Sequence, residues 1–164
     1  MSYDPTYRGT QLMLDNLKLT KNPVHHQQPC SMSCVPTCLA MAFGVNPKVL
    51  IADMAELGIG INKGVTRRVE SFYLSHKGIG YERFLGYENI GIGRGHYLAE
   101  IVNTKALMHC IYLYVKNDEI VVFDPNKDGS YLLTAGNEPR IRCFTRLDDF
   151  SDLVKPTPPT EDKN

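Results

Sequence analysis

Apolar residues recur three and four positions apart through the first half of the chain, and at every second position from Ala106 onward. Val35, Leu39, Ala42 and Phe43 lie on helical spacing, with Gly44 as a stop. Pro36 suits only the first turn of that helix, where its missing N–H is not needed. The helix is therefore expected from Cys34 to about Phe43. Asn46-Pro47 opens a second helix carrying Val49, Leu50, Ala52, Met54 and Leu57, with a stop at Gly58. Thr66 caps a third that runs to Ser75 on a stripe of Val69, Phe72 and Tyr73. Upstream, Leu12, Met13, Leu14 and Leu17 form an apolar patch in an otherwise polar extension (residues 1–22), one helical turn against the body. Tyr81 to Phe84 reads as a short strand, 85–95 as a glycine-rich loop, and His96 to Val102 as a short helix.

The second half predicts strands over Ala106–Val115 and Glu119–Phe123, joined by a tight turn at Asn117-Asp118. Two more follow over Ser130–Thr134 and Ile141–Thr145, separated by Gly136-Asn137-Glu138-Pro139. Asp148 to Leu153 reads as a last helical turn. Lys155 to Asn164, with three prolines and no large apolar residue, reads as a disordered tail. Helices first and an antiparallel sheet second is an α+β plan, with one domain expected over 23–154.

Length and charge narrow the function. At 164 residues the chain can bury a substantial core, and its hydrophobic (43%) and charged (22%) fractions are those of a globular protein. Eighteen basic and eighteen acidic residues cancel, so nucleic acid and anionic membrane surfaces find no electrostatic footprint. No apolar run reaches membrane-span length, and the N-terminus carries no signal-peptide pattern. Five cysteines, an odd count, point to a reduced cytoplasmic setting with a thiol left for chemistry.

That thiol is Cys34. It sits at a helix N-terminus, where unpaired N–H groups and the positive dipole end favour a thiolate. Gln28, six residues upstream, offers an amide donor to a developing oxyanion. On the first long strand His109 shares a face with Leu107, Ile111 and Leu113. A two- or four-residue loop would pair Ile111 with Asp124 and bring the carboxylate to the same face as His109; a three-residue loop would put it opposite. His109 would then be general base to Cys34, with Asp124 holding its tautomer.

Each residue also has a plainer reading. Free cysteines are commonly buried, a histidine on an apolar strand is commonly a core residue, and Asp124 before Pro125 suits a turn. The four in register outweigh those readings. Cys38, Cys110 and Cys143 read as structural. Cys30 is a rival nucleophile without a glutamine at the matching offset, since position 24 is valine. His25 and His26 read as solvated loop residues. Cys30, Cys34 and Cys38 with a histidine could form a zinc site in an interaction module, but their spacing is not that of ligand pairs. Gly91-Ile92-Gly93-Arg94-Gly95 lacks the strand–turn–helix setting of a dinucleotide fingerprint.

These residues resemble the papain-like peptidase domain of bacteriocin-exporting ABC transporters, the double-glycine leader peptidases. The resemblance rests on Gln28, Cys34, Cys38-Leu39-Ala40-Met41, His109-Cys110-Ile111-Tyr112 and Val121-Val122-Phe123-Asp124-Pro125, and spans about Gln27 to Tyr131. That family has glycine after the nucleophile and an acidic residue before it, where this chain has Val35 and Ser33. The resemblance implies a papain-like fold, with a helical half packed on a sheet half. It also implies a cysteine peptidase that cuts protein substrates after Gly-Gly without metal or organic cofactor. The catalytic residues would be Cys34, His109 and Asp124, with Gln28 in the oxyanion hole. No transporter spans accompany the domain, so a toxin or effector acting in another cell's cytoplasm is expected, with an immunity protein covering the cleft. The same triad also suits a deamidase or transglutaminase, since both reactions pass through a thioester.

Overall fold

The computed structural model describes residues 17–62, 64–85, 93–102, 108–117 and 119–148, together with Leu14. The expected final turn over Asp148–Leu153 falls beyond these residues except for Asp148, and the tail over 155–164 and most of the first 16 residues lie outside them. Leu14 and Leu17 of the N-terminal patch are buried in the core.

Three helices come first: α1 (Cys34–Phe43), α2 (Pro47–Glu56) and α3 (Arg67–His76). The caps are those expected. Asn46 accepts the Lys48 N–H at 2.8 Å, and Thr66 accepts the Val69 N–H at 3.3 Å. Gly44 ends α1 in a left-handed conformation (φ 69°) that favours glycine. Every residue of α1 from Val35 to Phe43 is buried, so this helix is the centre of the molecule rather than an amphipathic cover.

The inward face of α3 differs from the expected stripe. Phe72 is exposed, and Glu70, Tyr73 and Leu74 are the buried residues. Glu70 is tolerated there because Arg83 reaches it at 2.6 Å. Tyr73 likewise ties inward, donating its hydroxyl to buried Asp53 at 2.6 Å, while Lys77 pairs with the same carboxylate at 2.7 Å.

The sheet has six strands: β1 (Gly80–Leu85), β2 (Gly95–Val102), β3 (Met108–Val115), β4 (Ile120–Phe123), β5 (Ser130–Leu132) and β6 (Ile141–Asp148). Their order is β1-β6-β2-β3-β4-β5, all pairings antiparallel. β2 overturns the helix expected over His96–Val102. It lies centrally, with Leu98 on the helix-facing side and Tyr97 and Ala99 on the other, all buried. Burial on both faces erases the alternation that marks a strand, and tertiary pairing overrides the helix propensity of Leu, Ala and Glu. β6 also runs three residues beyond the expected end at Thr145.

One face of the sheet packs on the helices through Leu98, Cys110, Tyr112, Phe123 and Leu147. The other builds a second core from Tyr97, Ile111, Leu113, Val122 and Phe144, joined by Phe84 of β1 and Tyr131 of β5. Both edges of the sheet thus feed one cluster, which requires the sheet to curl around it. Four residues, 116–119, close the β3–β4 hairpin through a Lys116 N–H to Glu119 C=O bond of 2.8 Å, with Tyr112 opposite Phe123. Continued by one residue, that register sets Ile111 against Asp124 and puts Asp124 on the face of His109, as expected for a four-residue loop.

Candidate active site

The turn before α1 is held by Ser33. Its buried hydroxyl donates to the Cys30 carbonyl at 2.8 Å and accepts the Cys30 N–H at 3.1 Å. With the hydroxyl engaged there, no side chain caps α1. The N–H groups of its first turn therefore remain for a developing negative charge, beside the half-buried thiol of Cys34.

His109 and Asp124 meet as the hairpin register requires. His109 Nε2 lies 2.7 Å from Asp124 Oδ1, and both residues are buried. Burial is the largest influence on the imidazole and pulls its pKa down. The hydrogen bond to Asp124, followed by one to Cys34, outweighs it and raises the value to about 9. For Asp124 burial alone would raise the pKa, but His109 and the Asn126 N–H, 2.9 Å from Oδ1, hold it below the usual carboxylate value. The ring thus holds Asp124 and lines the same cleft as Cys34. With Nε2 on the carboxylate, Nδ1 is the nitrogen left for Cys34. Cys34, His109 and Asp124 are brought together.

A second set of contacts pins the Asp124 loop. The His25 Nε2–H donates to the Asp124 carbonyl at 2.8 Å, the Gln28 N–H donates to Pro125 C=O at 2.9 Å, and Gln27 Nε2 reaches Asp128 Oδ1 at 3.2 Å. His25 is therefore a structural clasp rather than the solvated residue expected. Burial, then neighbouring His25, lowers the pKa of His26. Gln28 donates from Nε2 to the Cys30 carbonyl at 2.8 Å, which ties the Asp124 loop to the turn that delivers Cys34. Its Oε1 is buried without a partner, and Gln28 is not among the residues lining the cleft.

The cleft has a volume of about 410 Å³ and is lined by Met32, Cys34, Val35, Gly64, Val65, Thr66, Arg67, Glu100, Met108, His109 and Arg142, among others. Gly64 has φ +80°, which disfavours a larger residue there, and a Cβ added to it would meet the Met32 terminal methyl at an ordinary contact distance of 3.4 Å. A larger open cleft of about 760 Å³ near Tyr114 and Lys116 holds no thiol.

The remaining cysteines fall as expected. Cys38 and Cys110 are buried, the Cys38 thiol on the Cys110 carbonyl at 3.3 Å, and their pKa values are raised, Cys38 chiefly by burial and Cys110 chiefly by its contact with Cys38. Cys143 is also buried and Cys30 is exposed. Cys30, Cys34 and Cys38 thus occupy surface, cleft and core, which removes the zinc reading of that spacing. Among the described residues no three His, Cys, Asp or Glu side chains converge as metal ligands.

Sequence reasoning missed Ser33, His25 and Arg142. Ser33 departs from the family pattern and so drew notice only as a difference. The partners of the other two lie far away in sequence.

No protein-family model matches the chain, and no curated protein sequence does. Solved structures do. The chain is similar to the peptidase domain of Streptococcus ComA, a bifunctional ABC transporter of a quorum-sensing pathway, at 16% identity and a TM-score of 0.57. That match covers 77% of this chain and 98% of the other. It is also similar to a double-glycine motif protease from an AMS/PCAT transporter in complex with the leader peptide, at 14% identity and a TM-score of 0.58. Here 80% of this chain and 96% of the other are covered. At these identities the likeness establishes the fold alone, the α+β fold that those two peptidase domains share.

Proposed function

We propose that this chain is a cysteine peptidase in which Cys34 attacks a peptide carbonyl and forms a thioester. The observation that carries the reading is the imidazole of His109, hydrogen-bonded to Asp124 and lining one cleft with Cys34. His109, cationic below about pH 9, pairs with the sulfur through Nδ1. After attack it gives that proton to the leaving amine, and it then takes one from the water that cleaves the thioester. Asp124 keeps Nε2–H fixed and stabilises the imidazolium. The uncapped first turn of α1 supplies backbone N–H donors to the oxyanion. Gln28 joins them through the amide hydrogen not directed at Cys30, a role that requires it to turn toward the cleft as substrate enters.

Glycine at the two positions before the cut is the specificity expected of this cleft, whose lining includes Met32 and Gly64. The double-glycine protease bound to its leader peptide supports the same substrate class. A toxin or effector role acting in another cell's cytoplasm, opposed by an immunity protein, is a further part of this proposal. The test is mass spectrometry of a bacterial lysate treated with wild type or Cys34→Ala. New N-termini after Gly-Gly, absent with the variant, are expected. Uncut proteins carrying glutamines about one mass unit heavier would replace peptidase by deamidase.

A further inference from the structure

Arg142 occupies the cleft because of an irregularity in the sheet. On β2 and β6, Glu100 stands opposite Cys143, but the next residue, Ile101, stands opposite Ile141. Arg142 is therefore the extra residue of a β-bulge, with no partner on β2. In an unbroken strand Arg142 would share a face with Phe144, in the core away from the helices, while Cys143 faced the other way. Instead Ile141 and Phe144 both enter that core. Arg142 lines the cleft with Cys34 and His109, and Cys143 lines the small cavity behind it. Consecutive side chains thus point the same way, which is how a bulge re-aims a residue beside an active site.

The guanidinium has a weak partner at present. Nη1 donates to the Met108 sulfur at 3.4 Å, and Met108 is itself exposed. A thioether is a poor acceptor, and it leaves the planar fork able to take a carboxylate with two parallel bonds. Among the described residues the other charged groups lining the cleft are His109 and the pair Arg67 and Glu100, which face each other at 3.6 Å. Arg67 thereby offsets the carboxylate that, among the described lining residues, would repel an acidic ligand, and those residues carry a net positive charge.

We propose that Arg142 is a specificity residue that binds an acidic side chain of the substrate close to the scissile bond, with Met108 as an apolar wall for its methylenes. Cys34 and Arg142 line one cleft of about 410 Å³, so the acidic residue falls within about three residues of the bond attacked, at roughly 3.4 Å per extended residue. The assignment rests on the reading of this cleft as a substrate site. Its test is binding, so that it does not depend on turnover.

Cys34→Ala protein is titrated in 0.15 M salt with fluorescent, C-terminally amidated peptides that carry central Gly-Gly. One Glu or one Gln is placed at each flanking position in turn. At one position Glu is expected to bind roughly 10- to 100-fold more tightly than Gln, the range of a charge-assisted hydrogen bond. Arg142→Gln brings that ratio near one, and Arg142→Glu makes Lys the preferred residue there, which also shows the variants to be folded. Peptides with a free C-terminus and no acidic side chain show no comparable gain; if they alone do, the site takes a terminal carboxylate and the proposal fails. It is also overturned if no Glu peptide binds, or if the ratio survives Arg142→Gln. Cleavage by wild-type protein is scored separately. Absent cleavage with an intact Glu preference refutes the peptidase reading and leaves Arg142 in its role.

Discussion

Replacing Asp124 by Asn keeps the volume of the side chain and removes its charge. The imidazole of His109 is raised from 6.5 to about 9, a shift worth on the order of 3 kcal/mol. Asp124 supplies more of the upward pull than Cys34, so the substitution removes roughly 2 kcal/mol of it. The sign follows from linkage. A histidine whose folded pKa is raised adds stability that is complete below pH 6.5 and is lost as pH rises through 9. Asp124, whose pKa is lowered, adds stability present above about 3.8 and lost in acid. These are two views of one ion pair and are not summed. Urea unfolding of wild type and Asp124→Asn at pH 6 and pH 10 isolates the charge, because His109 is largely neutral in both proteins at pH 10. The penalty at pH 6 is expected to exceed that at pH 10 by roughly 2 kcal/mol. NMR of the His109 ring is expected to titrate near pH 9 in wild type and well below that in the variant. Equal penalties at the two pH values, or a wild-type midpoint near 6.5, would refute the ion pair.

Three further outcomes follow from contacts outside the triad. Gly64→Ala should cost about 1–2 kcal/mol, since φ is +80° there, and, as Gly64 lines the cleft, should raise KM more than it lowers kcat; urea unfolding and peptide kinetics check both. Lys77→Met removes the cation beside the buried Asp53 carboxylate, which keeps the Tyr73 hydroxyl, and should cost about 3–5 kcal/mol by urea unfolding, with little change in kcat for the protein that remains folded. His25→Leu removes the clasp on the Asp124 carbonyl; a loss of about 1 kcal/mol in stability is expected, with a downward shift of the alkaline limb of kcat/KM as Asp124 loosens from His109.

The candidate site was legible where chemistry follows local rules. Pro36 and Gly44 bracket α1, and the period of two along β3 and β4 carries His109 and Asp124 to one face. It needed only a choice of loop length, which Lys116 and Glu119 close at four residues. β2 was illegible because a central strand buried on both sides shows no alternation, and Leu98, Ala99 and Glu100 favour helix on their own. His25 lies 99 residues from the carbonyl it holds, and no spacing rule reaches across that separation. The bulge that turns Arg142 exists only once β6 pairs with β2, so its consequence for the cleft appears only in three dimensions. Glu70 inverted the expected stripe of α3 for a similar reason, since Arg83, which satisfies it, comes from another element.

The most direct measurement is covalent capture. A peptide vinyl sulfone ending in Gly-Gly is incubated with the protein at neutral pH, and the adduct is mapped by tandem mass spectrometry. A single adduct on Cys34, strongly reduced in His109→Ala, is the expected result. An adduct on exposed Cys30, or none on any cysteine, would contradict Cys34 as the nucleophile.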